Sequence, residues 1–310
     1  MGLNPFDDIY MRQLRLVLRI LPSIAREGTF ALKGGTAINL FERGLPRLSV
    51  DIDLCYPRFS ERSEALSAIV SSLDAIKQDL SKRLPDIKFS NDKSPAREYK
   101  LLCRTPQAVA KIEANTTMRG HVFPLRTMPI HPGAQELLEQ YVEMPVVSRE
   151  ELYGGKICAA LDRQHPRDLF DLAPLLLDDR LSRPIVSGFI VCLISHNKPI
   201  HELLSPNRHE MRETFENQFS GMAAITFTYE DYLETREKLF GSLPGLLNDS
   251  DRAFLLSFKE GNPDWRLLGV ENAQKLPAIL WKLQNIRKLI ELSPKKHQNQ
   301  FARLKEVLNV

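Results

Sequence analysis

Two aspartates in a short alternating segment are the residues best suited to chemistry in this chain. In the segment Val50-Asp51-Ile52-Asp53-Leu54, acidic residues alternate with apolar ones. A strand places alternate side chains on opposite faces, so we expect both carboxylates on one face, with Cα atoms roughly 6.6 Å apart. Neighbouring carboxylates repel each other unless a cation lies between them, and Mg²⁺ or Mn²⁺ suits an all-oxygen site. The pair therefore predicts a divalent metal site.

A glycine pair lies shortly upstream, in Lys33-Gly34-Gly35-Thr36, and fourteen residues separate Thr36 from Asp51. Glycines let a phosphate approach the backbone, and the free N–H groups of a helix beginning near Thr36 attract its charge. Taken singly, the acidic pair is also typical of an exposed strand face, and Gly-Gly-Thr of an ordinary helix start. Together, in this order, they indicate nucleotidyl transfer, with residues 33–36 in contact with the nucleotide.

Composition limits the class of protein. The chain has 310 residues, 43% of them hydrophobic and 26% charged, which is typical of a globular protein with room for two cores. No apolar run reaches the roughly 18 residues that span a bilayer, and the N-terminus carries acids where a signal peptide carries bases. We therefore expect a cytoplasmic protein with no membrane partner. The four cysteines lack metal or disulfide spacing and are expected to be reduced core residues.

Hydrophobic periodicity divides the chain into two halves. The first half is predicted to contain helices at 5–21, 36–43 and 61–84 and strands at 30–33, 48–56, 87–90, 99–104 and 109–116, with Asn4 capping the first helix and Pro22 ending it. From Ser148 onward only helices are indicated, and Ser148 with Glu151 forms a capping-box pattern. The prediction is an α+β fold, with a catalytic domain at 1–147 and a helical domain at 148–310.

The strand predicted at 109–116 offers two further charged residues. Lys111 and Glu113 share one face of it. Beside the acidic pair, Glu113 could be a third carboxylate ligand and Lys111 a phosphate contact. The alternative is an ordinary lysine–glutamate pair on a solvated face, and the pattern leaves both open.

The first helix of the second half carries charged residues that suit a triphosphate. Lys156 and Arg163 lie seven residues apart, two helical turns, so they project from one face and could bind phosphates. Pro166 begins the next helix, where Asp168 could orient Lys156 or Arg163 by an ion pair. Asp162 and Asp171 are predicted to be surface or capping residues.

Charge and aromatic residues give weaker signals. The net charge of +3 does not by itself indicate a nucleic-acid partner. The segment 96–128, however, contains six basic residues and two acidic ones. A basic face of the sheet would suit a polyanionic substrate. Charged residues that protect a sheet edge from pairing with other strands are equally consistent with this composition. Trp265 and Trp281 are both predicted to pack between helices, given the apolar residues around them.

The segments 32–37 and 47–54, which hold the glycine and acidic motifs, resemble the first motif of the AbiEii/AbiGii toxin family, nucleotidyltransferases of the polymerase-β type. The resemblance extends to Lys111-Ile112-Glu113, to the lysine helix and Arg-Asp-x-x-Asp-Leu element between Lys156 and Asp171, and to tryptophan-containing segments near the C-terminus. It departs in two respects, since the spacing between glycine and acidic motifs is slightly long and the third carboxylate is poorly marked.

The resemblance implies a minimal nucleotidyltransferase sheet joined to a helical bundle, with Mg²⁺ or Mn²⁺ on Asp51 and Asp53 and support from Lys111, Lys156 and Asp168. It also implies a growth-inhibiting toxin with a separately encoded antitoxin, and transfer to the acceptor end of tRNA in some relatives. Our interpretation is NMP transfer from an NTP to a hydroxyl on RNA. The alternatives are a non-catalytic nucleotide- or RNA-binding module, or transfer to a protein or small molecule.

Overall fold

The computed structural model describes residues 6–89, 99–177 and 181–310. The chain divides into two compact units, each with its own core. The first comprises the described part of Met1–Ser148 together with Gln218–Thr226, and the second comprises the described parts of Arg149–Asn217 and Phe227–Val310. Assigning catalysis to residues 1–147 and a separate helical domain to 148–310 stays a prediction.

The first unit is built on a mixed β-sheet. Its described strands are β1 Ala31–Lys33, β2 Asp51–Cys55, β3 Lys88–Phe89, β4 Lys100–Arg104, β5 Val109–Asn115, β6 Arg126–Pro129 and β7 Glu143–Val146. They lie in the order β3-β4-β5-β2-β1-β7-β6. Strand β2 pairs antiparallel with β1 and parallel with β5, whereas β1 pairs parallel with β7. The strand with the two aspartates is therefore central, with paired neighbours on both sides.

Helices α1 Asp8–Glu27 and α3 Arg62–Arg83 pack on each other, and α1 also contacts β5 and β7. A short helix, α2 Gly34–Thr36, follows β1 and continues as a π-helix, Ala37–Glu42. Helix α4 Pro132–Leu138 precedes β7. Because α1 covers the sheet with fully buried apolar residues such as Leu14 and Ile20, it supplies much of this unit's core.

Several predictions for this unit were wrong in detail. Pro22 lies inside α1 rather than at its end, because the flanking Ile20, Leu21 and Ile24 are fully buried and their packing offsets the lost backbone hydrogen bond. Strands β6 and β7 were missed, since each is four residues long and contains a proline. The predicted cap at Asn4 and the end of the third strand, at Ser90, lie outside the described residues.

A segment remote in sequence completes the first unit. The backbone N–H of Leu48 donates to Met222 at 2.7 Å and that of Ala224 donates to Pro46 at 2.9 Å. Phe219 and Met222 are buried. The chain just before β2 is thus held by residues 218–226, which no local sequence pattern predicted.

The second unit is helical throughout its described residues. Its helices are α5 Arg149–Arg163, α6 Pro166–Leu177, α7 Arg183–Ser195, α8 Ile200–Leu204, α9 Arg212–Gln218, α10 Tyr229–Leu246, α11 Asp249–Lys259, α12 Trp265–Leu268, α13 Pro277–Leu292 and α14 Pro294–Leu308. Helices α5 and α7 touch through Gly154 and Gly188, where a Cβ on Gly154 would collide with the α7 backbone. The α+β class and the helix starts at Arg149 and Pro166 are confirmed.

All four cysteines are buried and unbonded to one another, as the sequence predicted. Burial raises the pKa of Cys103 to about 12, so its thiol is protonated at neutral pH. None of the described helices combines the length and the apolar character needed to cross a bilayer.

Candidate active site

The turn between β1 and α2 is closely packed at two successive glycines. Gly34 has φ +72°, in the left-handed region, and a Cβ there would collide with the carboxylate of Asp53. A Cβ on Gly35 would lie 2.8 Å from Nη2 of Arg47 and 3.0 Å from Oγ of Ser49. The turn is therefore packed directly against β2 and the residues that precede it.

Thr36 ties the helix start to the acidic strand. Its hydroxyl donates to the backbone carbonyl of Asp51 and is also hydrogen-bonded to Oγ of Ser49 at 3.0 Å. On the following turn, Nδ2 of Asn39 donates to the carbonyl of Gly35 at 2.9 Å. These bonds fix the glycine turn relative to β2, so the backbone N–H groups at the start of α2 are held beside the aspartates.

Strand register places the charged residues level with one another. Lys33 on β1 and Glu113 on β5 both lie opposite Asp53, and Lys111 lies opposite Asp51. Directly opposed residues in a sheet point to the same face. The predicted residues of the first unit are therefore gathered on one side of three adjacent strands.

Lys111 lies between two of these carboxylates. Its Nζ is 3.0 Å from Oε2 of Glu113 and 3.9 Å from Oδ1 of Asp51. Desolvation lowers the pKa of Lys111, but the hydrogen bond with Glu113 and the charges of Asp51, Glu113 and Asp53 outweigh it and raise the pKa above its usual value. Lys111 is thus a cation at neutral pH, held beside the acidic pair.

The two carboxylate oxygens of Glu113 form ion pairs with two different lysines. Oε1 lies 2.8 Å from Nζ of Lys100, and Oε2 carries the ion pair with Lys111. Burial alone would raise the pKa of Glu113, but hydrogen bonds from the two lysines lower it. Among the described residues no group of three His, Cys, Asp or Glu side chains is arranged to hold a metal. These contacts argue against Glu113 as the third ligand, which stays an untested prediction.

The remaining two carboxylates fit a divalent ion. Asp51 and Asp53 are both partly exposed on the same face of β2, while Ile52 between them is fully buried. Two carboxylates on one face are a donor set that suits Mg²⁺ or Mn²⁺, which complete their coordination with water and substrate phosphates.

In the second unit, a buried lysine joins two buried aspartates. Nζ of Lys156 lies 3.0 Å from Oδ1 of Asp168 and 2.9 Å from Oδ2 of Asp171, and all three side chains are buried. Arg163, on the same helix, donates to Asp168 from Nε at 2.6 Å and from Nη2 at 2.9 Å. Burial by itself raises the pKa of Asp168, but the two cations outweigh it and hold the pKa well below its usual range.

This cluster contradicts the prediction for Asp171. Asp171 is a core residue rather than a surface or capping one, because its carboxylate neutralises Lys156 inside the helical unit. Asp162 is partly buried and pairs with Lys198 at 2.5 Å. The ammonium of Lys156 is enclosed by carboxylates, whereas the Arg163 side chain is 61% exposed. Asp168 forms ion pairs with both cations. Its role in orienting them, and any contact of Lys156 or Arg163 with a triphosphate, stay predictions.

Most of the described bases on the predicted basic face of the sheet are engaged in contacts within the protein. Lys100 and Lys111 pair with Glu113, Arg126 pairs with Glu42, and Arg119 is buried. Arg104 is exposed, and the sixth base, at position 97, lies outside the described residues. The run of bases is therefore mainly structural and does not by itself support polyanion binding.

Two residues that contact the glycine turn, Arg47 and Ser49, were not identified from the sequence. Arg47 is 2% exposed, donates from Nη1 to the carbonyl of Leu48 at 2.8 Å and lies against Gly35, while Ser49 bonds to Thr36. The two-residue alternation of the strand could have revealed them, since residues 47, 49, 51 and 53 follow one another at the same spacing. Arg47 and Ser49 occupy the same alternate positions as the two aspartates, so a contact with the glycine turn could have been predicted for them.

The site combines a glycine turn with two aspartates on the central strand of a mixed sheet, and hydrogen bonds hold the turn to that strand. This combination is typical of nucleotidyltransferases. The fold is similar to that of the nucleotidyltransferase toxin MenT4 from Mycobacterium tuberculosis H37Rv, with a TM-score of 0.59 and 14% identity over 90% of this chain and 95% of that one. The family model of the nucleotidyl transferase AbiEii toxin of type IV toxin–antitoxin systems matches residues 15–285. The chain therefore belongs to the AbiEii family of nucleotidyltransferase toxins.

Another solved structure matches with a lower TM-score. The protein JHP933 from Helicobacter pylori matches with a TM-score of 0.43 and 18% identity, over 78% of this chain and 93% of that one. No curated protein sequence matches at a significant level.

Proposed function

We propose that this toxin transfers a nucleoside monophosphate from an NTP to an acceptor hydroxyl, in a reaction that depends on Mg²⁺ or Mn²⁺. The observation that carries the proposal is the close approach of the Asp53 carboxylate to Gly34, which puts the acidic pair beside the backbone at the start of α2. Family membership supports the transfer reaction itself. The choice of NTP and metal is our inference from the donor chemistry.

In this reaction the residues of the first unit bind and orient the nucleotide. The triphosphate rests on the backbone of Gly34, Gly35 and Thr36, and Lys33 and Lys111 offset its charge. Asp51 and Asp53 would hold the metal, which would supply positive charge to offset that of the triphosphate. The acceptor oxygen forms its bond to the α-phosphorus as the bond to the β-phosphate breaks, and pyrophosphate leaves. Since phosphoryl-type transfer needs little covalent chemistry from the protein, positioning and charge neutralisation supply most of the catalysis.

For the acceptor we propose RNA, and specifically the 3′ end of tRNA. This proposal rests on the family resemblance alone. The basic residues of the sheet do not support it, because most of them form ion pairs within the protein. An antitoxin encoded separately is the partner that the family implies. Lys156 and Asp168 are proposed to support the site, with Arg163 as the exposed cation that Asp168 orients.

The test is incubation of the pure protein with each labelled NTP, Mg²⁺ and total RNA. We expect label in the tRNA fraction from one or a few NTPs, and none with the Asp53→Asn variant. Asp74→Asn removes an exposed carboxylate from α3 and is the matched control, which should transfer as the wild type does. Label on protein or on a small molecule would contradict the RNA acceptor.

A nucleotide- or RNA-binding module without turnover is the rival function. It is favoured by one observation, the engagement of Glu113 with Lys100 and Lys111, which leaves two carboxylates for a metal. Binding of labelled NTP or RNA by the wild-type protein, with no incorporation under any metal, would establish the rival and overturn the transfer reaction.

A further inference from the structure

Positive charge is concentrated in the last two helices, α13 and α14. They contain seven bases and two acids, a net charge of +5, whereas the whole chain carries +3, so the remaining residues together carry −2. Of the seven bases, Lys282 is buried and donates to the backbone carbonyls of His196 and Asn197, just after α7. The other six are exposed: Arg287, Lys288, Lys295, Lys296, Arg303 and Lys305.

These six bases differ from those of the sheet in having no acidic partner. Within the described parts of the chain, none of the six lies within ion-pair distance of a carboxylate, whereas Lys100, Lys111 and Arg126 all do. Like charges on two contacting helices repel each other, so this concentration of unneutralised bases favours the binding of an anion there. The cluster therefore indicates a polyanionic ligand.

An exposed tryptophan accompanies the charge. Trp265 packs between helices as predicted, with its ring 5.7 Å from that of Phe254, but Trp281 on α13 is 58% exposed, so its predicted packing role was wrong. Lys288 lies seven residues after Trp281, two helical turns, and shares its face, with Gln284 and Asn285 exposed between them. Such a face presents a flat ring, two amides and a cation.

We propose that the outward faces of α13 and α14 bind the RNA acceptor, with the lysines contacting phosphates and Trp281 stacking on an unpaired base. This deepens, and rests on, the proposed transfer to RNA. Aromatic rings and basic side chains are the usual elements of single-stranded RNA recognition. Lysine is depleted in protein–protein interfaces, so an unpaired lysine cluster favours nucleic acid over a protein partner.

RNA binding can be measured without catalysis. The full chain is titrated into labelled, unfractionated tRNA in the absence of NTP, at several salt concentrations. Lys288→Glu/Lys296→Glu reverses two charges on the proposed surface, and Lys82→Glu/Lys88→Glu reverses two exposed lysines of the first unit. Because both variants change the net charge equally, a difference between them reports location rather than overall charge.

We expect the surface variant to raise the Kd for tRNA about tenfold or more. It should also reduce the slope of log K against log salt by about 1.5, because each of the two lost phosphate contacts contributes about 0.7–0.9 to that slope. The first-unit variant should show a much smaller change. Trp281→Ala should raise Kd for a single-stranded oligonucleotide about tenfold with little change in slope, since stacking releases no counterions. Equal effects of the two charge reversals, or wild-type binding by the surface variant, would overturn the proposal.

A transfer assay separates this inference from the proposed function. If both hold, the surface variant has a raised KM for RNA and a nearly unchanged kcat. Surface-dependent RNA binding by a wild-type protein that transfers no nucleotide would refute the reaction and leave the binding surface standing. Transfer to RNA that is unaffected by the surface variant would refute the binding surface alone.

Discussion

Gly34 and Asp53 are in direct contact, so that any side chain on Gly34 would collide with the carboxylate of Asp53. The register of β1 and β2 produces this contact, since Lys33 lies opposite Asp53 and the chain turns immediately afterwards. The glycine turn and the acidic pair are therefore one structural unit. A change in either motif is expected to displace the other.

Gly34→Ala should abolish transfer and destabilise the fold. The left-handed backbone costs a non-glycine residue about 1–2 kcal/mol, and the new methyl group would push Asp53 aside. Denaturant unfolding and the labelling assay measure the two effects. Gly241→Ala, on α10 with open space around it, is the control and should be neutral or slightly stabilising. Wild-type transfer by Gly34→Ala would show that the contact with Asp53 has no role in the reaction.

Metal binding should depend on Asp51 and Asp53 but not on Glu113. Titration of Mn²⁺ followed by electron paramagnetic resonance is expected to give a Kd that rises about tenfold or more in Asp51→Asn and Asp53→Asn, because each loses one of two charged ligands. Glu113→Gln should bind Mn²⁺ nearly as the wild type does, since its carboxylate already pairs with two lysines. An equal loss of affinity in Glu113→Gln would restore it as a ligand.

Lys156→Met should strongly destabilise the helical unit. It leaves Asp168 and Asp171 buried without their shared cation, and breaking a buried ion pair typically costs about 3–5 kcal/mol. Arg163→Met removes an exposed partner of Asp168 and keeps Lys156, so a smaller loss is expected in urea unfolding. Similar stability of Lys156→Met and the wild type would contradict a structural role for the cluster.

The same cluster should make the protein sensitive to acid. The pKa of Asp168 is well below its usual value in the folded state, so its stabilising contribution is present above the unfolded pKa of about 3.9 and is lost as pH falls below it. The free energy of unfolding of the wild type should therefore fall as pH decreases from about 5. Asp168→Asn should show a shallower fall over the same range.

Lys259 should also make stability rise with pH, but in the alkaline range. Burial lowers its pKa to about 8, while the unfolded chain keeps a value near 10.4, so the unfolded state binds more protons between these values. Stability due to this group should rise as pH increases from about 8 to 10. In Lys259→Met the rise should be smaller, and stability at pH 7 higher, because a buried charge is removed. Lys295→Met, at an exposed site of α14, is the control and should alter the slope less.

Local patterns predicted much of the first unit. Alternation around Asp51 and Asp53 predicted a strand with both carboxylates on one face, and the positions of Gly34 and Gly35 predicted a tight turn beside it. These predictions hold because strand periodicity and the conformational freedom of glycine are properties of neighbouring residues. The same reasoning failed at Pro22, where buried neighbours keep the helix intact.

Charge could be counted in the sequence but its pairing could not. The bases between residues 96 and 128 were consistent with a polyanion-binding face or with charges at a sheet edge. In the structure, the parallel pairing of β5 with β2 and its antiparallel pairing with β4 bring Lys111 and Lys100 to Glu113. Asp171 was assigned to the surface for the same reason. Whether a charge is neutralised depends on residues distant in sequence that the fold brings within a few ångströms.

The sequence by itself determined the family, the acidic pair, the glycine turn and the change from a mixed sheet to helices, since each depends on residue types at short spacing. Only the tertiary structure decided that Arg47 and Ser49 support the turn, that residues 218–226 complete the first unit, and that Lys156 is enclosed by two aspartates. Those contacts join segments separated along the chain, and their energies come from burial and from pairing across that separation. Periodicity within one segment carries no information about them.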